Sequence, residues 1–173
     1  MRITLAALVS SLLWAGTARA DCRDSAGGAY SVEIRLSPAA GGACLMSVSV
    51  FEGPGCAADG RLWGATRGCN ETDRMAVTDH GRLVSILAPA TSHPEWSIVA
   101  VLEWHDDRVR THRLALEDLP ETAGLTGVVR PLFEGAAIRF APNALVTFER
   151  LESAVGRHRM AHPSEQPGVL KSP

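Results

Sequence analysis

Two stretches decide the fold of this chain, Val32-Glu-Ile-Arg-Leu36 and Met46-Ser-Val-Ser-Val50. In each stretch apolar and polar residues alternate strictly, which is the two-residue period of a β-strand with one buried face. Gly41 and Gly42 lie between the two stretches and allow the positive φ angles of a tight reversal. The segment therefore predicts an antiparallel hairpin whose apolar side chains share one face.

A second hairpin is predicted further along the chain. The run Ile98-Val-Ala-Val-Leu102 is apolar on both faces, and Val109-Arg-Thr-His-Arg-Leu114 follows the turn His105-Asp-Asp-Arg108. A strand that is apolar on both faces is typical of a sheet that is covered on both sides. We therefore expect the strand at 98–102 to lie deeper in the structure than its partner.

Short strand patterns recur along most of the chain, and turn residues separate them. The turn clusters include Gly53-Pro-Gly55, Asp59-Gly60, Asp79-His-Gly81 and Ala141-Pro-Asn143. Many short strands at steady spacing are typical of antiparallel sandwiches, barrels and propeller-like sheets. We predict an all-β fold, an antiparallel β-sandwich or blade-like sheets, as a single domain over residues 21–153.

A weak internal repeat also indicates blade-like sheets. Val48-Ser-Val-Phe-Glu52 and Val99-Ala-Val-Leu-Glu103 each open a similar order of strand, turn, strand and hairpin. The phrase Val77-Thr-Asp-His-Gly-Arg-Leu-Val84 resembles the Asp-Gly turn of exported β-propeller blades, and uncharacterised exported bacterial β-rich proteins look similar over this region. The resemblance implies a blade-like sheet and no activity. Since a closed propeller takes at least about four blades, we expect two packed sheets instead.

The N-terminus has the three parts of a secretory signal peptide, predicted over residues 1–20. Arg2 supplies a positive charge, residues 3–14 are mostly apolar, and Ala18-Arg-Ala20 places small residues at the cleavage positions. The apolar stretch is shorter than the roughly 18–20 residues that span a bilayer. We expect cleavage after Ala20, no integral membrane anchor, and a secreted or periplasmic protein of a bacterium.

The opposite end of the chain is predicted to be a flexible tail over residues 154–173. This segment shows no apolar periodicity and contains several prolines. Its small positive cluster, Arg157-His-Arg159, is expected to be solvated.

All four cysteines are expected to form disulfides, which would staple the N-terminal half of the domain. They are Cys22, Cys44, Cys56 and Cys69. An even number in an exported chain favours disulfides, and the spacing lacks the close ligand pairs of zinc sites. With a hairpin turn centred near Ala40, Leu36 lies opposite Cys44, so Cys22 and Cys44 lie at opposite ends of the hairpin. Cys22–Cys56 with Cys44–Cys69 fits best, and Cys22–Cys44 with Cys56–Cys69 is the alternative.

No strong catalytic or metal-binding motif is present. The chain lacks G-x-S-x-G, H-E-x-x-H and a Walker A loop. His105-Asp-Asp107 has suitable donor atoms for a metal, but a hairpin tip explains these residues more simply. Glu103 is the carboxylate in the most interesting place, at the end of an apolar run. We expect no catalytic residue, no metal and no cofactor.

Three tryptophans outside the signal segment are possible contact residues: Trp63, Trp96 and Trp104. If the three side chains lie on one exposed face, they could stack on sugar rings or anchor a protein partner. The alternative is that they pack in the core. Trp96 lies in a loop just before a strand and is the first candidate.

The expected function is an exported binding or interaction module without catalysis, whose partner is an unknown protein or glycan. The chain has 17 basic and 19 acidic residues, a net charge of −2, which argues against nucleic acid. The alternatives are a small secreted hydrolase and a disulfide-braced inhibitor of a secreted protease. A hydrolase predicts a pocket with converging titratable groups. An inhibitor predicts a rigid exposed loop within residues 53–68.

Overall fold

The computed structural model describes residues 19–38, 44–68, 74–87, 96–141 and 143–161. Apart from Arg19 and Ala20, which begin the first strand, the predicted signal peptide lies outside these ranges. Within the described ranges, no helix has the length and apolar character that crossing a membrane requires.

The described strands form three antiparallel sheets, and strands that are neighbours in the chain are neighbours in each sheet. Sheet A contains β1 (Arg19–Asp24), β2 (Tyr30–Pro38), β3 (Cys44–Glu52) and β4 (Arg61–Gly68). Sheet B contains β5 (Met75–Val77), β6 (Leu83–Leu87), β7 (Val99–His105) and β8 (Arg108–Leu114). Sheet C contains β9 (Pro131–Glu134), β10 (Ala137–Phe140) and β11 (Ala144–Thr147), and helix α1 (Phe148–Ala161) follows it. The predicted all-β fold class is confirmed.

Sheets A and B pack face to face around a first hydrophobic core. The alternating side chains of β2 and β3 point into it, as predicted for the first hairpin. Sheet A contributes Val32, Ile34, Met46, Val48, Val50, Trp63 and Ala65, and sheet B contributes Met75, Val77, Val84, Ile86, Leu102 and Val109. These two sheets form the predicted antiparallel sandwich.

The register of the first hairpin differs from the prediction by two residues. Leu36 pairs with Met46 instead of Cys44, and Cys44 pairs with Pro38. The reversal is therefore centred one residue later in the chain than expected. Because side chains alternate with a period of two, this shift leaves every residue on its predicted face.

Sheet B is the middle layer, because a second core covers its other face. All five residues of β6 are buried. The second core combines Leu83, Leu87, Val99, Val101 and Leu114 of sheet B with Ile138, Phe140 and Val146 of sheet C and Leu151, Ala154 and Val155 of α1. The strand predicted at 98–102 is therefore buried from both sides, as expected.

A two-residue turn joins β7 and β8, as the second predicted hairpin requires. His105 pairs with Arg108, so Asp106 and Asp107 form the tip. Both have positive φ angles, 50° and 58°. This is the backbone of a type I′ turn, whose twist matches that of the flanking strands.

The turn between β5 and β6, which contains the phrase compared with propeller blades, connects the layers. The Asp79 carboxylate accepts a 2.6 Å hydrogen bond from the backbone N–H of Gly27, in the turn between β1 and β2 of sheet A. On the other side, His80 Nε2 contacts the Glu152 carboxylate of α1. These polar contacts fix the relative positions of sheet A, sheet B and the helix.

Helix α1 replaces part of the predicted flexible tail. Phe148, Leu151, Ala154 and Val155 are its buried residues, and they recur at the spacing of one helical face. Half of this pattern precedes residue 154, so the segment from 154 onward shows no period when it is read alone. Residues 162–173 of the predicted tail lie outside the described ranges.

The predicted disulfide Cys22–Cys56 is present, with its Cα atoms 6.1 Å apart. It joins β1 to the loop between β3 and β4, and it excludes the alternative pairing Cys22–Cys44. Cys44 is disulfide-bonded as well. Its predicted partner, Cys69, lies outside the described residues.

Candidate functional site

The three candidate tryptophans do not share one exposed face. Trp63 is buried and stacks on the half-buried Trp104 in the first core, with ring centroids 6.2 Å apart. Its indole Nε1 donates a 2.7 Å hydrogen bond to the Gly81 carbonyl, which satisfies the buried donor. Trp96, by contrast, is 57% exposed and lies three residues before β7. Trp96 is therefore the candidate contact that the structure leaves at the surface.

A buried polar cluster lies where α1 covers sheet B. Glu103 on β7 and His112 on β8 point to the same face of the sheet and are 8% and 3% exposed. One carboxylate oxygen of Glu103 is 2.9 Å from His112 Nε2, and the other accepts a 2.7 Å hydrogen bond from Arg159 of α1. His158 Nδ1 lies 3.3 Å from His112 Nδ1. Both oxygens of the carboxylate are thus occupied by the protein itself.

These contacts define how protons are arranged in the cluster. An ionised carboxylate can only accept, so His112 Nε2 donates to Glu103. In its neutral form His112 then accepts a hydrogen bond at Nδ1 from His158, and in its charged form it donates to His158. A hydrogen bond between the two Nδ1 atoms requires that one of them donates and the other accepts.

Glu103 remains ionised in this environment although it is buried. Burial alone raises the pKa of its carboxyl group, as expected for a charge removed from water. The hydrogen bond from His112 and the positive charges of Arg159, His112 and His105 oppose this effect and bring the pKa below its ordinary value. The arrangement stabilises a carboxylate and does not favour a carboxylic acid.

The sequence identified Glu103 but not its partners. His112 occupies an inward position of an alternating strand, and this pattern could have marked it as a buried histidine. His158 and Arg159 were assigned to the solvated cluster of the tail, and they contact the sheet because they belong to α1. His158 is 46 residues from His112 in the chain, a separation that no local pattern connects.

A second unusual pair lies on the edge strands β4 and β8 of the sandwich between sheets A and B. Arg67 on β4 pairs with the core residue Met46, so its side chain points inward. Arg113 on β8 pairs with Ala100, which also faces the first core. The Nη1 atom of Arg67 is buried and has no hydrogen-bond partner. Burial and the nearby charge of Arg113 both lower the pKa of Arg67.

The loop between β3 and β4 is held against sheet A. In addition to the Cys22–Cys56 disulfide, the N–H of Gly55 donates to the Asp24 carboxylate at 2.8 Å. The N–H of Cys56 donates to the Ser31 hydroxyl at 2.9 Å. The backbone donors of this loop are therefore directed at the protein itself.

Comparison with known proteins does not supply a family. Family models, curated proteins and solved structures were all compared with the chain, and none matches. In the part of the chain that the structure describes, no group of three or more His, Cys, Asp or Glu side chains is arranged to hold a metal ion. The assignment of function therefore depends on the geometry of the two clusters and of Trp96.

Proposed function

We propose that this protein is an exported binding module that acts without catalysis and contacts a glycan through Trp96. The observation that carries the proposal is the 57% exposure of Trp96, since the other two candidate tryptophans pack in the core. An indole at the surface offers a flat apolar face on which a sugar ring stacks.

Two features support export. The Cys22–Cys56 disulfide and the bonded state of Cys44 are typical of proteins that fold in an oxidising compartment. The N-terminal pattern of charge, apolar stretch and small residues is that of a signal peptide. Together they favour a secreted or periplasmic location.

The hydrolase alternative is favoured by one observation, the Glu103–His112–His158 chain of hydrogen bonds. Its geometry is nevertheless that of a structural cluster. A general acid needs a carboxyl group whose pKa is raised, and the pKa of Glu103 is lowered. Because both of its oxygens already bind His112 and Arg159, Glu103 has little capacity left for a substrate.

The inhibitor alternative requires an extended loop that presents its backbone to a protease. The disulfide does make the loop after β3 rigid, but the N–H groups of Gly55 and Cys56 bind Asp24 and Ser31 of the protein. Cys56 also has a left-handed φ of 54°, which interrupts an extended conformation. The loop is therefore better suited to bracing sheet A than to insertion into an active site.

A glycan array tests the proposal with the purified full chain and two variants. Trp96→Ala removes the stacking surface and should weaken binding to the sugars recognised by the wild type by about ten-fold or more, as for an aromatic hot spot. Leu62→Ala is the matched control, because Leu62 is 48% exposed but belongs to sheet A, and it should bind as the wild type does.

Three results would contradict this function. The first is that the wild type binds no sugar on the array, and the second is that Trp96→Ala binds as tightly as the wild type. The third is that chromatography detects sugar products released from the bound glycans. If Glu103→Gln abolished that release, the hydrolase alternative would replace the binding module.

A further inference from the structure

The edge of the sandwich formed by the last strands of sheets A and B is rich in arginine. Its edge strands, β4 and β8, together contain five arginines and no acidic residue. They are Arg61, Arg67, Arg108, Arg110 and Arg113. The whole chain has a net charge of −2, so this concentration is local and does not follow from the composition. Of these, Arg67 and Arg113 point into the sandwich, whereas Arg108 and Arg110 lie on the same face as Glu103. Two like charges that face each other attract an anion.

The two strands lie on the same side of the sandwich. β5 lies against β1 and β2, so the first strands of the two sheets share one side of the sandwich. The last strands, β4 and β8, then share the other side. Trp63 of β4 stacks on Trp104 of β7, one strand from the edge. The charge of Arg113 reaches Arg67 across the gap.

Arg67 has a buried donor atom that lacks a partner. Its Nη1 atom is buried without a hydrogen bond, whereas the large majority of buried polar atoms in proteins are paired. A buried, unpaired donor on a charged group is costly, and a second arginine nearby adds repulsion. Such a group indicates a partner that neutralises both charges.

The side chains that face the interior of the sandwich do not supply this partner. Among the described strand residues, the register directs two acidic side chains to that face: Asp21, which pairs with Ile34, and Glu52, which pairs with Tyr30. Glu52 is exposed and lies at the far end of β3 from Met46, the residue that pairs with Arg67. Asp21 belongs to β1, at the opposite edge of sheet A from β4, and it forms an ion pair with Arg23. The negative partner of Arg67 must therefore come from outside these strands.

We propose that Arg67 and Arg113 form a binding site for an oxyanion, namely the carboxylate, phosphate or sulfate group of a ligand. A guanidinium presents two parallel N–H donors to such a group, so two arginines would hold one anion from both sheets. Thr111 lies on the same face of β8 as Arg113. The site does not depend on the contact proposed for Trp96.

Thermal unfolding of the full chain with inorganic sulfate or phosphate tests the site. Each salt is titrated against sodium chloride at matched ionic strength. The wild type should show a saturable rise in Tm of about 3 °C with either oxyanion, because a ligand that binds the folded state stabilises it. Arg67→Met and Arg113→Met should each remove this rise. Arg139→Met is the control, since Arg139 is an exposed arginine already paired with Glu134, and it should keep the rise.

The same variants distinguish an anion site from a partly buried arginine whose donors are satisfied by water. With chloride as the only anion, Arg67→Met should have a higher Tm than the wild type, because it removes a partly buried charge with an unpaired donor but keeps an apolar stem. The inference is overturned if oxyanions stabilise the wild type no more than chloride does. It is also overturned if Arg67→Met and Arg113→Met respond to sulfate as the wild type does.

The source of the oxyanion is determined by comparing free sulfate with a sulfated disaccharide in isothermal titration. If the disaccharide binds more tightly than free sulfate, and Trp96→Ala loses this gain in affinity, the anion belongs to an acidic glycan that also contacts Trp96. Equal affinities assign a free anion. If neither ligand binds, the site is disproved, while sugar binding on the array would still support the proposed function.

Discussion

Glu103 connects the helix to the central sheet through a charge that is almost completely buried. Its carboxylate joins His112 of β8 and Arg159 of α1, and these contacts lower its pKa against the effect of burial. A buried carboxylate with two hydrogen-bonded partners is stabilised only while all three groups are present. The cluster should therefore respond strongly both to substitution and to acid.

Glu103→Gln should lower the free energy of unfolding by about 2 kcal/mol at neutral pH, because it leaves Arg159 and His112 without their anion. Urea denaturation measures this difference. Glu134→Gln is the control, since it breaks the exposed ion pair with Arg139 on sheet C and should change stability little. Equal losses in the two variants would contradict the assignment.

The difference between the wild type and Glu103→Gln should also depend on pH. The folded pKa of Glu103 lies below that of an unfolded glutamate, about 4.3, so its contribution to stability is complete above roughly pH 5. The contribution is then lost as the pH falls through the folded pKa. Urea titrations between pH 3 and pH 7 should therefore show the two proteins converging in acid, and a constant difference would be inconsistent with this pKa.

The sequence could place some of these residues but not assign their contacts. Trp104 alternates with Leu102 and Ala100 on one face of β7, so its burial follows from the strand pattern. The loop position of Trp96 gave the correct expectation of exposure. The partner of Glu103, in contrast, depends on how the end of α1 docks, and no strand pattern contains that information.

Among the elements, the β7–β8 turn is the clearest case of local sequence specifying backbone geometry. Asp106 and Asp107 both adopt left-handed conformations, which aspartate tolerates better than β-branched residues do. The sequence His105-Asp-Asp-Arg108 was expected to reverse the chain at this point, and it does so with the two aspartates at the tip.

Asp107→Val should therefore lower the free energy of unfolding by about 1–2 kcal/mol, the cost of a branched side chain in the left-handed region. Asp107→Gly should retain the stability of the wild type, because glycine adopts this conformation without strain. Both variants are compared by thermal denaturation monitored by circular dichroism. Equal melting temperatures for the two variants would show that the turn does not need positive φ angles.

Helix α1 shows where element prediction failed. Its buried apolar residues begin at Phe148, inside the predicted all-β domain, and continue to Val155, inside the predicted flexible tail. Phe148 and Val146 both suit a strand, so the change from a period of two to a helical period falls within the apolar run. The boundary is decided by tertiary packing on sheet B, which local residue preferences do not report.

For the whole molecule, the order of the three layers determines which part is most protected. Sheet B has a hydrophobic core on each face, whereas sheet A has its core on one face. Backbone amides in β6 and β7 should therefore exchange with solvent only through global unfolding.

Hydrogen–deuterium exchange by mass spectrometry checks this prediction. The slowest exchange is expected in peptides that cover Leu83–Leu87 and Val99–His105. Peptides that cover β9 and β10 should exchange faster, because sheet C has three short strands. If the central strands exchanged as fast as those of sheet C, the layer order would be incorrect.

The large-scale architecture was partly accessible from the sequence. The alternation of apolar and polar residues predicted the hairpins and the all-β class. The run at 98–102, which is apolar on both faces, indicated a strand that is covered on both sides. The third layer was not predicted, because sheet C and α1 bury their apolar faces against residues such as Leu87 and Leu114 that are distant in the chain. Only the completed middle sheet offers the surface that these elements cover.

Strand order that follows chain order has a consequence for biosynthesis. The first four-stranded meander, with its Cys22–Cys56 crosslink, needs no residue beyond Gly68 to complete its backbone ladder. Each later layer then docks on a template that has already been synthesised, and helix α1 closes the assembly. A chain that emerges N-terminus first can therefore be built up sheet by sheet, without waiting for its far end to pair with its beginning.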